Sequence, residues 1–268
     1  MKIAAVQTNS SASVQENLQN AEAAFHEAVA QGARFVAFPE NFLLMAENRT
    51  QQREVAEALD GPSVTALRAW ARREKAWLLA GSVQLRAARG PRLTNTSLLI
   101  SPTGKIAGRY DKIHLFDARI SSDRVYEESK NIQPGKKTVL VKTPFGKVGL
   151  SVCYDLRFPE LYRGYAREGA QLLTIPAAFT VPTGEAHWDV LTRARAIENL
   201  CFVIAPAQSG EHAAKRRTYG HTRIIDPWGQ VLAERAEGAG IVYAELDFEA
   251  LAKRRAELPA LRHRRLRA

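Results

Sequence analysis

The stretch KVGLSVCYDLRFPELYRGYAREGAQLLTIPAAFT, residues 147–180, decides the fold. Residues 148–152, VGLSV, form an apolar run that leads to Cys153. A helix is expected over Pro159–Glu168, since Pro is favoured in a first helical turn and Gly169 is a suitable stop. A second apolar run, Gln171–Ile175, follows at once. Strand, helix, strand within thirty residues is the unit of a parallel sheet with helices on its faces. Reactive groups in such folds gather at the carboxyl ends of strands, and Cys153 stands at one.

Reading outward, the same alternation covers the chain. Toward the N-terminus, strands are expected at Lys2–Thr8, Arg34–Phe38, Trp77–Leu85, Thr94–Ile100 and Lys105–Tyr110. Val14, Leu18, Ala21, Phe25 and Val29 recur at helical spacing over Val14–Gln31, with Gly32 as the stop. Ser63 is placed to cap a helix running to Lys75. A short strand at Val139–Val141 turns at Pro144-Phe145-Gly146 into the strand Lys147–Val152. A long helix, Gly184–Leu200, precedes a strand at Cys201–Ala207. Strands at Arg223–Asp226, Val231–Ala233 and Ile241–Glu245 follow, and Asp247 caps a last helix that ends before Pro259. Two strand–helix–strand passes point to two sheets face to face with helices outside. A doubly wound single sheet fits nearly as well.

Composition bounds the possibilities. Of 268 residues, 46% are hydrophobic and 25% charged, which is the balance of a globular protein and not of a disordered one. No apolar run approaches about 20 residues, so no transmembrane helix is expected. The N-terminus MKIAAVQTNS lacks the apolar core of a signal peptide, and a cytoplasmic protein is expected. The formal net charge is +10. Residues 252–268 hold seven basic residues (Lys253, Arg254, Arg255, Arg262, Arg264, Arg265 and Arg267) against one acid, Glu257, so that tail alone carries +6. Such a tail is solvated, packs on acids of a partner subunit, or binds nucleic acid. Nucleic acid is not the expected partner, because no motif or stacking platform accompanies the charge. Two cysteines, Cys153 and Cys201, make neither a disulfide framework nor a zinc site.

Three residues carry chemistry together. At a strand-to-helix junction Cys153 would sit near backbone N–H groups and a helix dipole, which favour thiolate. Cys201 opens an apolar strand and reads as inert core. A thiol nucleophile needs a base. His114, His187 and His221 are available, but none sits in a local Cys–His protease signature. Glu40 follows Phe-Pro at the end of an apolar strand, where apolar surroundings would raise its pKa and suit it to accept a proton. Lys112, just after another strand, would supply a fixed positive charge for an oxyanion.

Phe38-Pro39-Glu40-Asn41, Asp111-Lys112-Ile113-His114-Leu115 and Cys153-Tyr154-Asp155-Leu156-Arg157-Phe158-Pro159-Glu160 resemble, in order and spacing, the three signature segments of the nitrilase superfamily of carbon–nitrogen hydrolases. The similarity runs over about residues 2–266. It implies a single α/β domain over residues 1–268, folded as a four-layer α-β-β-α sandwich. It also implies a homodimer or higher homo-oligomer stacked through the helices, and neither a metal nor an organic cofactor. The family's catalytic set falls on Glu40, Lys112 and Cys153, and its second glutamate on Glu128, with Glu127 beside it. The Tyr154 N–H would join Lys112 in holding the oxyanion. Tyr154 stands where nitrile-cleaving members commonly have Trp, which implies an amidase. Residues 183–188, 193–198, 219–221 and 226–229 resemble the branch whose small-molecule substrates are 2-oxo-acid amides, deaminated glutathione and 2-oxoglutaramate among them.

A substrate carboxylate calls for an arginine, and Arg157, Arg193, Arg195 and Arg217 are candidates. Phe179 and Thr180 are expected in the pocket wall. Asp117–Asp123 departs from the acidic, Pro/Gly-containing loop of many relatives, in a segment expected to border the site. The competing readings are an N-carbamoyl or broader amidase, and a scaffold or nucleic-acid-binding protein that uses its basic tail.

Overall fold

The computed structural model describes residues 1–121 and 124–266. Ser122 and Asp123 of the departing segment, and Arg267 and Ala268 of the tail, lie outside the described residues. The chain begins with β1 (Lys2–Gln7), α1 (Val14–Ala30), β2 (Phe35–Ala37), α2 (Arg49–Val55), α3 (Pro62–Glu74), β3 (Trp77–Arg86), β4 (Leu93–Ile100) and β5 (Ile106–Asp111). A hairpin of β6 (Asp117–Ser121) and β7 (Arg124–Glu127) follows. Next come β8 (Leu140–Thr143), β9 (Gly146–Leu150), α4 (Pro159–Arg167), β10 (Leu172–Thr174), α5 (Val181–Asn199) and β11 (Phe202–Ala205). The chain continues through β12 (Ser209–Glu211), β13 (Arg217–Tyr219), β14 (Thr222–Ile225), β15 (Val231–Arg235), β16 (Gly240–Glu245) and α6 (Phe248–Glu257).

Two six-stranded sheets result, in the orders β16-β1-β2-β3-β4-β5 and β15-β14-β11-β10-β9-β8. Each has a parallel centre, β1-β2-β3 in one and β9-β10-β11 in the other, flanked by antiparallel strands. The two-sheet reading therefore holds and the single doubly wound sheet does not. The period of two along β1 explains the layering. Ile3 and Ala5 point into the core between the sheets, with Phe35, Leu79 and Leu99 of the same sheet and Leu150, Val148 and Ile204 of the other. Ala4 and Val6 point outward, where Phe25 of α1 and Leu67 and Trp70 of α3 cover them. On the far side Leu161 and Tyr162 of α4 and Trp188 of α5 cover the second sheet, giving α-β-β-α.

Several boundaries differ from those expected. Ser63 lies inside α3: Pro62 occupies the first turn and Gly61 is the cap residue. The capping comes from outside the helix, because Glu57 accepts from the Ser63 N–H at 2.8 Å and from its hydroxyl at 2.7 Å. Of the expected stripe of α1, Ala21 and Phe25 are buried and Leu18 and Val29 are half-buried against the same core, and Asn17 and Ala28 are buried beside them. Asn17 is admitted because its amide donates to the carbonyls of Ser11 and Leu43. Helix α5 starts three residues early, at Val181, with Pro182 in its first turn. The segment from Asp117 is a strand of the β6–β7 hairpin and not a loop.

Asp247 caps α6 as expected, accepting from the N–H groups of Glu249 and Ala250. The basic tail is partly built into the fold. Arg255 donates to the carbonyls of Leu200 and Ala170, and Arg254 lies over the Trp228 ring. No helix among the described residues is long and apolar enough to cross a membrane.

Candidate active site

Glu40, Lys112 and Cys153 meet, although they come from strands of different sheets. The chain leaves β2 through Phe38-Pro39 and delivers Glu40 at the sheet's carboxyl edge. Gly81 makes room for this exit, since a Cβ there would lie 1.7 Å from the Phe38 carbonyl oxygen. Lys112 follows β5, with its N–H bonded to the Asn95 carbonyl at 2.8 Å. Cys153 opens the single-turn 3₁₀ segment Cys153–Arg157 just beyond β9, with φ of 50°. That left-handed conformation is uncommon for a residue with a side chain, and it turns the chain sharply out of the sheet. The three are 3%, 2% and 8% exposed, which makes them a desolvated set.

The charges are arranged around Lys112. Its Nζ donates to Glu40 Oε1 at 2.9 Å and to Glu128 Oε2 at 2.9 Å. Asn95 Nδ2 donates to both carboxylates, at 3.0 Å to Glu40 and 3.1 Å to Glu128. Glu128 is held in turn by the Phe116 N–H at 2.7 Å. The position assigned to Glu128 is thus the one facing Lys112, while Glu127 turns to Arg49 and Lys130. Gln208 Nε2, at the edge of the second sheet, donates to the Glu40 carbonyl at 3.1 Å and ties the two sheets at this point.

Two electrostatic expectations are reversed. Burial pushes the Glu40 carboxyl up, but the Lys112 ammonium and hydrogen bonds from Cys153 and Lys112 outweigh it and hold the group below the ordinary glutamate range. For Cys153, burial and then the Glu40 carboxylate push the thiol well above its ordinary range, against the Lys112 charge and the Ala178 N–H. Both directions favour a thiol facing the Glu40 carboxylate over a thiolate facing a carboxylic acid. The turn geometry did not decide this, because a buried anion is already present beside the thiol. Lys112 loses from burial and gains more from Glu128 and Glu40, so it stays an ammonium far into the alkaline range.

These groups lie in a pocket of about 260 Å³ that also takes in Tyr154, Arg157, Phe179 and Thr180. Arg157 lies over the rings of Tyr154 and Phe179, at 5.7 and 5.4 Å. The other arginines named from sequence are elsewhere. Arg195 is buried against the Leu156 carbonyl and Glu198, Arg193 binds the Gly229 carbonyl and Asp189, and Arg217 stands exposed on β13. The sequence reading missed Asn95, Arg49 and Arg216, which do reach the site. Asn95 carried a signal, since Thr94-Asn95-Thr96-Ser97 is a polar run inside a strand that is otherwise apolar. Among the described residues no cluster of three or more His, Cys, Asp or Glu could hold a metal ion.

A double-sheet sandwich with a thiol, a carboxylate and an ammonium at one pocket floor has the groups for acyl transfer from an amide. The chain belongs to the carbon-nitrogen hydrolase family, whose model matches residues 2–256, and it is an amidase of the nitrilase superfamily. A relative named deaminated glutathione amidase, from Synechocystis sp., is 45% identical over 264 residues, 97% of each chain. The protein of the same name from Homo sapiens is 38% identical over 98% of this chain and 82% of its own. The crystal structure of Saccharomyces cerevisiae Nit3, a member of branch 10 of the nitrilase superfamily, superposes with a TM-score of 0.90 at 32% identity, covering 99% of this chain and 97% of that one.

Proposed function

We propose that this amidase hydrolyses deaminated glutathione to 2-oxoglutarate and cysteinylglycine, through a thioester on Cys153. The observation that carries the chemistry is the buried thiol–carboxylate–ammonium contact of Cys153, Glu40 and Lys112. The substrate reading rests on the name shared by several relatives over nearly the full chain, and on the arginines in the pocket wall.

At rest the sulfur holds the proton. As the thiol attacks the amide carbonyl, Glu40 accepts that proton, the C–S bond forms and the carbonyl oxygen becomes an oxyanion. The Lys112 ammonium and the Tyr154 N–H hold this oxygen. The Cys153 N–H does not serve here, because it donates to the Pro176 carbonyl at 2.9 Å. The C–N bond then breaks, and the leaving amine takes the proton from Glu40. In the second half Glu40 takes a proton from water, the hydroxide adds to the thioester, and the acid leaves as the proton returns to sulfur. The covalent route replaces hydrolysis of an amide by hydrolysis of a thioester, which is far easier. Glu128 keeps Lys112 oriented throughout.

The same reading carries a homodimer. Val190 and Ile197 on α5 and Trp228 in the turn beside Ile197 are 65%, 48% and 55% exposed, an apolar strip on the outer helix layer that suits a second copy of the chain.

The deciding experiment follows 2-oxoglutarate release from deaminated glutathione and from 2-oxoglutaramate, with Cys153→Ala alongside. Faster Cys153-dependent release from the peptide supports the assignment. Preference for 2-oxoglutaramate moves it to an ω-amidase with the same acyl-enzyme. No release from either removes the substrate reading.

A further inference from the structure

Gln208 lies between β11 and β12, fully buried, where the chain bridges to Thr8 at the end of β1. Its Oε1 accepts from the Thr8 hydroxyl at 3.0 Å and from the Ser10 N–H at 3.1 Å. Its Nε2 donates to the Ser10 hydroxyl at 2.9 Å and to the Glu40 carbonyl at 3.1 Å. A side-chain amide has two donor protons and two acceptor positions, so this one is saturated. Its orientation is fixed as well, because a backbone N–H only donates and a carbonyl only accepts. Ser10 passes the hold on, since its hydroxyl donates to the Phe42 carbonyl at 2.8 Å. The chain is thus gripped at Glu40 and again two residues later.

The main chain of Gln208 reaches the other reacting group. Its N–H donates to the Ala177 carbonyl at 2.9 Å. The N–H of that same peptide unit belongs to Ala178 and is bonded to the Cys153 sulfur. A trans peptide is a rigid plane with its C=O and N–H on opposite edges. One plane therefore separates the Gln208 backbone from the sulfur, and one amide separates it from the Glu40 main chain.

The other holds on Glu40 come from its own sheet. Lys112 follows β5, Asn95 stands on β4, and the Asn41 N–H donates to the hydroxyl of Ser82 on β3 at 3.1 Å. They place the carboxylate within the first sheet and do not set its distance from the second. Gln208 is bonded toward both. It does not line the pocket, so it is out of reach of a substrate.

We infer that Gln208 is a positioning residue for proton transfer: its side-chain amide and its backbone N–H together set the spacing between the Glu40 carboxylate and the Cys153 sulfur. This deepens the amidase reading and rests on the roles proposed there for these two groups. Transfer between them needs a heavy-atom separation of about 2.6–3.2 Å, and a misplacement of about 1 Å can cost on the order of 100-fold in rate.

The test is alkylation of Cys153 by iodoacetamide, followed by mass at the Cys153 peptide, which needs no knowledge of the substrate. In the wild type the proton passes to Glu40 inside the pair, so the rates at about pH 9 and about pH 7 should agree within about twofold. In Glu40→Gln the thiol must ionise into solvent, and the rate should rise on the order of tenfold per pH unit. Gln208→Met keeps the length of the side chain and removes its hydrogen bonds. It should raise the ratio of the two rates to roughly tenfold. Gln208→Asn, one methylene short of the Glu40 carbonyl, should move the ratio the same way, and it carries the test if Gln208→Met does not melt as a folded protein. In a Glu40→Gln background either substitution should change the rate by less than about twofold. A merely structural role would expose the sulfur and speed both backgrounds alike. A wild-type ratio in folded variants overturns the proposal, as do equal changes in the two backgrounds. Turnover of 2-oxoglutaramate and deaminated glutathione gives the second readout: in Gln208→Met kcat should fall on the order of 10–100-fold with KM within about threefold. If the wild type turns over neither compound, the functional reading falls, and the alkylation ratio still decides the role of Gln208.

Discussion

Asp155 and His114 meet at 2.7 Å, carboxylate to Nδ1, and join the loop after Lys112 to the turn that opens at Cys153. The same carboxylate accepts the His114 N–H at 3.1 Å, the Val152 N–H at 2.8 Å and the Tyr110 hydroxyl at 2.7 Å. Asp155 is fully buried, and the His114 ring stacks on Phe158 at 3.6 Å. One side chain thus sets the distance between the proposed oxyanion cation and the proposed nucleophile. Asp155→Asn turns an acceptor edge into a donor facing donors. Each bond left unmade should cost about 1–3 kcal/mol, with a melting point lower by roughly 2–4 °C for each kcal/mol. The fall should be larger in kcat than in KM, because the substrate does not touch Asp155. A variant with wild-type kcat would remove this positioning role.

Glu40 and Glu128 both contact Lys112 but are assigned different tasks. Glu40→Gln removes the proton acceptor and should lower kcat by roughly 10²–10⁴-fold. Glu128→Gln keeps the acceptor and removes one of the two anions that raise the Lys112 pKa. Its loss should be smaller, and its alkaline limb should move to lower pH. Equal losses with identical pH profiles would show that the two carboxylates are not distinguished in this way.

The wild-type pH profile follows from the same set. Glu40 must be ionised to accept the proton and is held below 4.5, and Lys112 must be charged and is held well above 10.5. Activity should stay level through neutrality and fall on the acid side only as pH drops through the lowered Glu40 value. The limbs will belong to the coupled group and not to single residues. An acid limb near pH 6–7 in kcat/KM would point to a histidine base instead.

His212 makes stability depend on pH. Burial, and then the charge of Arg216, hold its pKa below 6.5, against the bond to the Ser10 carbonyl. The folded state therefore resists a proton that the unfolded chain accepts, so stability is lost as pH falls from 6.5 to the folded value. Denaturant melts at a series of pH values should show this slope, and His212→Gln should flatten it. The β12–β13 turn would loosen first.

Gly184 lies inside α5, where Ala would ordinarily gain about 1 kcal/mol in helix propensity. A Cβ there would fall 2.1 Å from Cγ of Tyr219, whose ring stacks on His221 at 4.2 Å. Overpacking of this kind costs about 1–3 kcal/mol, so Gly184→Ala should be destabilising overall. Tyr219 ends β13, so the variant should also reduce turnover. A more stable, fully active Gly184→Ala would refute the packing argument.

The parts of the fold that could be read from sequence are those whose burial leaves a period. The runs in β1, β2, β10 and β11 are apolar because both faces are covered, and the helical spacing in α1 marked the side that packs on the sheet. Helix α2 buries none of its residues, so it has no stripe to find. The hairpins β6–β7 and β12–β13 are short and form sheets of two strands, where alternation says little. Glu40 and Cys153 were visible because each follows an apolar strand, and Lys112 because Asp111–Leu115 resembles a signature segment of the family. Arg216 was not, because only the turn between β12 and β13 brings it to the pocket wall, and that turn is not written in the order of residue types.

That partnership has a practical meaning. Glu40 and Lys112 ride on one sheet and Cys153 on the other, so the proposed catalytic group spans a seam. A slide of one sheet over the other by the length of a bond would leave every strand, every helix and most of the apolar core intact. It would still part the thiol from its carboxylate. Turnover, or the alkylation rate of a single cysteine, is then a finer gauge of how the two halves are seated than any spectrum that reports folded content.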